Sequence, residues 1–407
     1  MNEYDVIIVG GGITGAGTAR DCALRGLRVL LIERFDIATG ATGRNHGLLH
    51  SGARYAVTDQ ESATECIKEN MILKKIARHC VDDTSGLFIT LPEDDLAYQD
   101  TFVKACLAAG INAEVIDPEE AKRMEPSVNP SLIGAVKVPD GSVDPFRLCA
   151  SNVFDAKIHG AKVLVYSEVI EFIKEQDTIK GVKVLDHHTG IVTDYYAPVT
   201  VNAGGIWGHH IAQMAGANIS MFPAKGALLI FAHRVNSVVI NRCRKPANAD
   251  ILVPGDTVCV IGTTSTRVPY EECDHLKVTP DEVDLLLTEG AKLAPCLAET
   301  RVLRAYATGG KLMTYRLMGE MAADAVCKKL GRDAKCVTAD TPLPGSEPGG
   351  IEEISKKIWE VPTMVQKASV GRFGTQAANL DFDGDVKGSL VCECEEVSVS
   401  EVDSAIE

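Results

Sequence analysis

Long apolar runs are missing from this chain. None approaches the roughly 20 residues that a membrane-crossing helix needs. No basic stretch precedes the first apolar run, so no secretory leader is expected. Positive charge is also short. The 41 Lys and Arg face 56 Asp and Glu, a net −15, which argues against nucleic acid and against direct docking on an anionic bilayer. A disulfide framework is absent as well. The 13 cysteines are scattered through apolar segments (Cys22, Cys106, Cys149, Cys327), the usage of reduced cytosolic thiols. What remains, 407 residues with 45% hydrophobic and 24% charged content, is an ordinary globular chain with length for two or three domains.

The most informative stretch comes first. Asp5-Val6-Ile7-Ile8-Val9 is a β-branched run suited to a strand buried on both faces. Gly10-Gly11-Gly12-Ile13-Thr14-Gly15 follows, then a helical pattern over 16–24 and a second apolar strand over 27–32 that ends in Glu33. This is G-x-G-x-x-G between a strand and a helix, with an acid at the end of the next strand. Gly10 makes the tight turn, Gly12 lets a pyrophosphate approach, and Gly15 lets helix and strand pack closely. The helix N-terminus adds amide donors and partial positive charge. Glu33 sits where an acid receives a ribose hydroxyl. The bland alternative is a Gly-rich turn with no ligand.

Residues 36–52 read D-I-A-T-G-A-T-G-R-N-H-G-L-L-H-S-G. So many small residues suit close passage along an extended ligand. A nicotinamide enzyme would repeat a βαβ unit here; none follows, which favours FAD.

Further along, helices are expected over 62–79, 100–109, 117–124, 144–159 and 280–293, the fourth opened by an Asp144-Pro145 cap. Strands are expected over 86–91, 134–138, 162–165 and 168–174, and a hairpin over 182–197 turns at His187-His188-Thr189-Gly190. That adjacent histidine pair reads as a solvated turn rather than a metal site. A buried strand over 198–203 enters a Gly turn, and strands over 222–230, 238–240 and 251–262 make an antiparallel sheet. Gly309-Gly310 precedes a helix reaching 330. Residues 342–350 are rich in Pro and Gly and mark a linker.

The motifs Gly10–Gly15, Glu33 and 41–50 together resemble the FAD-dependent glycerol-3-phosphate dehydrogenases, above all the catalytic subunit of the anaerobic bacterial enzymes. The resemblance implies an α/β fold: a Rossmann-like, doubly wound FAD-binding domain with an inserted α+β antiparallel-sheet substrate domain. The FAD domain would comprise 1–80, 140–222 and 305–340, and the substrate domain 81–139 and 223–304. Residues 341–389 would be a linker region, and 390–407 the truncated start of a [2Fe-2S]-binding domain. FAD would lie against Gly10, Gly12, Thr14, Gly15, Glu33, Arg34, Thr42, Gly43, His46, Gly47, Leu48, Val169, Ala203, Gly204, Trp207, Gly309, Gly310, Leu312, Met313 and Thr314.

The implied reaction oxidises sn-glycerol 3-phosphate to dihydroxyacetone phosphate. It needs a base near the hydroxyl and cations at the phosphate. His50, Arg54, Tyr55 and Lys311 are the candidates, with His50 as base. By pattern alone His50 is more often a structural residue and Lys311 a solvent-facing lysine, while Arg54 is as readily a surface arginine beside a half-buried Tyr55. Electrons would pass through iron–sulfur and membrane-anchoring subunits to a quinone. That places the chain in the cytoplasm, peripheral on the inner face of the cell membrane through its partners, with no direct membrane insertion. Cys392 and Cys394 resemble half of a [2Fe-2S] site, which needs four thiolates.

One departure stands out. The family continues after a segment like Arg304-Ala305-Tyr306-Ala307 through a Gly-Val-Arg-Pro-Leu motif and a few dozen further residues. Here Thr308 follows directly, and a substrate-gripping arginine and a strand go with the missing piece. The rival expectations are an amine- or 2-hydroxy-acid-oxidising flavoenzyme of the same superfamily, and a non-catalytic FAD-binding electron-transfer subunit.

Overall fold

In the structure, a computed structural model, residues 3–308, 312–346, 348–382, 388–392 and 397–406 are described. The first strand, β1 (Val6–Val9), has its four side chains inside. Val6 and Ile8 face the helices, whereas Ile7 and Val9 face a second sheet. Each such burial stabilises by about 1.5–3 kcal/mol, which is why the run carries no polar residue. Helix α1 (Ile13–Leu24) follows, then β2 (Val29–Ile32). Four parallel strands form the sheet in the order Val199–Asn202, β1, β2, Lys162–Leu164. Helices Pro145–Ile158 and Tyr315–Leu330 flank α1 on one face. An antiparallel trio, Ser167–Glu175, Thr178–Asp186 and Val192–Tyr196, covers the other.

Strand Val199–Asn202 differs from its expected burial. It pairs with β1 on one side and forms the margin of the sheet, so its side chains are only half buried or exposed. A cleft of about 580 Å³ runs beside it, lined by Val199, Thr200, Lys174, Ile179 and Lys329.

Among the described residues the larger sheet has nine strands and is mostly antiparallel. Its centre includes Ala224–Phe231, Ile251–Pro254 and Cys259–Gly262. Helix Pro280–Leu293 has the expected bounds and packs Leu286 and Leu293 beneath this sheet. Its start is a capping box between Thr279 and Glu282. Strand Val302–Thr308 pairs with Ala224–Phe231, so this sheet extends to Thr308, beyond the 304 expected from sequence. Helix α2 (Gln60–Ile76) lies between the two layers, with Cys66 and Leu73 in one core and Ala63 and Ile67 in another.

The stretch read as a linker region contains two helices, Ile351–Ile358, where the sequence pattern is helical over 351–359, and Met364–Phe373, which the pattern does not announce; their buried residues Ile354 and Val370 share a small core with Ala377. Leu390–Cys392 is a short strand. No helix among the described residues is long and apolar enough to cross a membrane.

Candidate functional site

Two neighbouring features sit where the layers meet. The first is the turn between β1 and α1. Gly10 has φ +115, and a Cβ there would strike the Ala203 carbonyl; a Cβ on Gly15 would strike the Gly10 carbonyl. These close approaches join the turn to Ala203 and Gly204 after strand Val199–Asn202. Glu33, at the end of β2, accepts the Gly11 N–H at 2.7 Å and the Phe35 N–H at 2.9 Å. The strand carrying Val169 starts beside it, with Ser167 N–H donating to the Glu33 carbonyl at 2.8 Å. Arg34 lies over the Trp207 ring at 4.5 Å, and Trp207 also flanks Gly40 of the Gly-rich loop. The donors and the side-chain-free cradle fit the pyrophosphate and ribose of a dinucleotide. Thr42 has a role the sequence reading missed: its hydroxyl accepts the Ile13 N–H at 3.0 Å and so holds the loop to the start of α1.

The second feature is a cavity of about 260 Å³ between the Gly-rich loop and the larger sheet. His46, Leu48, His50, Arg54 and Tyr55 line one side; Lys225, Thr263 and Thr264 line another; Leu312 and Met313 close it. The loop supports itself locally. Asn45 accepts the Gly47 N–H at 2.8 Å, and Leu48–Leu49 pairs with Gly141–Val143. His46 Nδ1 accepts the Leu48 N–H at 3.1 Å, and His50 Nδ1 accepts the Gly52 N–H at 3.0 Å. Each neutral ring therefore carries its proton on Nε2. Burial, and then the neighbouring His50 and Arg54, push His46 down to about 3, so it stays neutral. Burial raises the Tyr55 phenol, which stays a protonated donor. Its ring sits 5.0 Å from that of His50.

Asp140 is fully buried behind His50. It accepts the Ser51 N–H at 2.6 Å, and its Oδ1 lies 3.8 Å from His50 Nδ1. Arg54 is held by Asp250 Oδ2 at 3.4 Å and the Ala247 carbonyl at 2.6 Å. Lys225, unforeseen from sequence, donates to Glu282 at 2.8 Å and the Lys277 carbonyl at 2.7 Å. Its one sequence signal is a lysine inside an apolar strand.

Thus His46, Leu48, His50, Arg54, Tyr55, Leu312 and Met313 line one cavity. Gly12, Thr14, Gly43, Gly47 and Thr314 lie on the same loop and helix starts. Gly309, Gly310 and Lys311 lie outside the described residues, as do Cys394 and the side chain of Cys392. Among the described residues no cluster of three or more metal-ligating side chains occurs. Burial drives the thiols of Cys22, Cys80, Cys106, Cys149 and Cys243 up to about 12. His187 bonds Glu168 at an exposed hairpin turn.

The profile of the FAD dependent oxidoreductase family (DAO) matches residues 5–321. The chain is 57% identical to one of the named subunits of the anaerobic glycerol-3-phosphate dehydrogenase of Haemophilus influenzae, covering 99% of this chain and 78% of that one. It is also 57% identical to the Escherichia coli protein of the same name, over 99% and 81%. Those alignments span 441 positions against 407 residues here, so the relatives carry stretches with no counterpart in this chain. Among solved structures, the glycerol-3-phosphate dehydrogenase of Bacillus halodurans complexed with FAD has a similar fold. Its TM-score is 0.72 at 22% identity, over 95% of this chain and 79% of that one.

Proposed function

The chain belongs to the FAD-dependent oxidoreductases, and among them to the same family as these anaerobic glycerol-3-phosphate dehydrogenase subunits; from that footing we propose how its cavity works. The substrate is sn-glycerol 3-phosphate and the product dihydroxyacetone phosphate. The observation that carries this reading is the meeting of a clasped arginine, a phenol and two imidazoles in one cavity beside the dinucleotide turn.

Bound FAD supplies the hydride acceptor. Gly10, Gly12, Gly15, Glu33, Thr42, Ala203 and Gly204 would hold it, with Leu312 and Met313 near the reacting end. Arg54 grips the phosphate, Tyr55 donates to a substrate oxygen, and Lys311 adds a second cation. His46, neutral with its proton on Nε2, is a fixed donor. His50 takes the hydroxyl proton at Nε2. It does so once its ring proton has moved from Nε2, where the Gly52 N–H contact keeps it in the free protein, to Nδ1 facing Asp140, whose carboxylate then stabilises the imidazolium.

Electrons leave through iron–sulfur and membrane-anchoring partners to a quinone; that the relatives are named as subunits supports such partners. The chain then works at the inner face of the cell membrane. Cys392 and Cys394 offer two thiolates where a cluster needs four, so no step is assigned to a cluster within these residues.

The test is anaerobic stopped-flow reduction of the FAD-loaded chain with glycerol 3-phosphate, 2-hydroxy acids and amino acids. Reduction by glycerol 3-phosphate alone is expected. Reduction by a hydroxy acid or an amine alone would move the chain to another substrate class. The relatives' extra aligned positions favour one second reading, a flavin-binding subunit without catalysis; a yellow chain that no substrate reduces would establish it.

A further inference from the structure

We propose that Asp250 is a positioning residue that sets Arg54 for the substrate's anionic end; this rests on the reading of Arg54 as the phosphate grip. The two residues come from different layers. Arg54 lies in the short turn Ala53–Tyr55 of the Gly-rich segment, and Asp250 immediately precedes strand Ile251–Pro254 of the larger sheet. Asp250 is fully buried. Its Oδ2 accepts the Ala247 N–H at 2.7 Å and faces Arg54 Nη1 at 3.4 Å. Its Oδ1 accepts from Arg244 Nη2 at 2.5 Å and Nε at 3.1 Å. The Ala247 carbonyl takes Arg54 Nη2 at 2.6 Å. Residues 244–250 thus fold around one carboxylate and clasp one edge of the Arg54 guanidinium.

A guanidinium has five donors in one plane. Two are committed to the clasp, which fixes that plane and leaves others for an oxyanion in the cavity. An unclasped arginine would lose rotamer freedom on binding, a cost the clasp has already met in the free protein. The arrangement does not cancel the charge Arg54 offers. Asp250 shares its own charge with Arg244, which also holds Glu289 at 3.0 Å, and Glu289 holds Lys292 at 2.7 Å.

The experiment is a double-mutant cycle on the FAD-loaded full chain, read as KM and kcat for glycerol 3-phosphate and as the dissociation constant of a non-reducing phosphate analogue. Asp250→Asn keeps an acceptor for Ala247 and removes the ion pair. It should raise KM and the analogue's dissociation constant about 10-fold, with kcat changed less than about twofold. In an Arg54→Ala background the same change should add less than about twofold. Arg54→Lys keeps the charge but not the planar fork, and should raise KM nearly as far as Arg54→Ala; it tests the idea even if Asp250→Asn folds poorly. An unchanged KM for Asp250→Asn or Arg54→Lys, beside a raised KM for Arg54→Ala, would overturn the positioning role alone. So would an equal cost of Asp250→Asn with and without Arg54. An unchanged KM for Arg54→Ala would overturn both the role and the reading beneath it.

Discussion

Glu33 closes on Gly11: one carboxylate oxygen accepts the Gly11 N–H at 2.7 Å while the other takes Phe35 N–H at 2.9 Å. The acid that follows β2 therefore braces the turn between β1 and α1, apart from the ribose contact proposed for it. Glu33→Ala returns the exposed Phe35 N–H to water and leaves the part-buried Gly11 N–H without its acceptor. It should cost about 1–3 kcal/mol of stability even without cofactor, read by urea unfolding of the apoprotein, and should also lower flavin content. A loss confined to the flavin-loaded form would show that the brace is unimportant.

Gly12→Val should abolish retention of flavin. A Cβ at this position already comes within 3.1 Å of the Thr42 hydroxyl that holds the loop to α1, and the larger side chain must displace either the loop or the pyrophosphate. The check is the ratio of absorbance at 450 to 280 nm (about 450 nm being the flavin band) after purification. A normal ratio would remove the dinucleotide assignment of this turn.

His50→Ala should slow reduction at saturating substrate by about 10²–10⁴-fold, the usual range for a lost general base, with a small change in KM. A change in KM alone would assign His50 to binding.

His46 makes acid stability measurable. Its ordinary value is 6.5 and the folded value about 3. Below pH 6.5 the unfolded chain takes up a proton that the folded chain refuses, so the contribution of this site is complete above pH 6.5 and is lost as pH falls toward 3. The slope from one such site is at most about 1.4 kcal/mol per pH unit. Urea midpoints of His46→Gln should therefore fall less steeply between pH 6.5 and 4 than those of the parent; parallel curves would deny the shift.

Arg316 and Glu69 tie helix Tyr315–Leu330 to α2. Arg316 meets both Glu69 oxygens, at 2.8 and 2.6 Å, and both side chains are buried. Glu69→Ala removes two charge-assisted bonds from a buried guanidinium that keeps Glu320 at 2.8 Å and Thr338 at 3.1 Å; it should cost about 1.5–3 kcal/mol, whereas replacing both residues by Met should cost less. Thermal unfolding of the three variants decides it.

The first βαβ unit was legible because its message is local: an apolar run, glycines at fixed offsets, an acid at the next strand's end. Helix Pro280–Leu293 was legible for a like reason, having a Thr279 cap, a proline start and a clear apolar stripe. Met364–Phe373 was not. Its run Val-Gln-Lys-Ala-Ser-Val-Gly-Arg has no helical apolar period, and the one usable signal was the capping box of Thr363 and Gln366. Within the cavity, His46, His50, Arg54 and Tyr55 come from one continuous segment and could be read together. Asp140, Asp250 and Lys225 could not, because their partners are about 90, 200 and 60 residues away in sequence and only the sheet order brings them close. The partial exposure of Val199–Asn202 escapes a reading of composition, which reports an apolar strand and not its place in the sheet order.

That place has a bearing on how the protein behaves in bulk. Beyond Val199–Asn202 no further strand is hydrogen-bonded among the described residues, and a row of open main-chain groups is a template on which an extended segment of another molecule can assemble. The net charge of −15 holds copies apart at low ionic strength. Its reach is about 10 Å at 0.1 M salt and about 3 Å at 1 M, so colloidal stability should decline with added salt, and turbidity in concentrated samples should rise first in high-salt buffers.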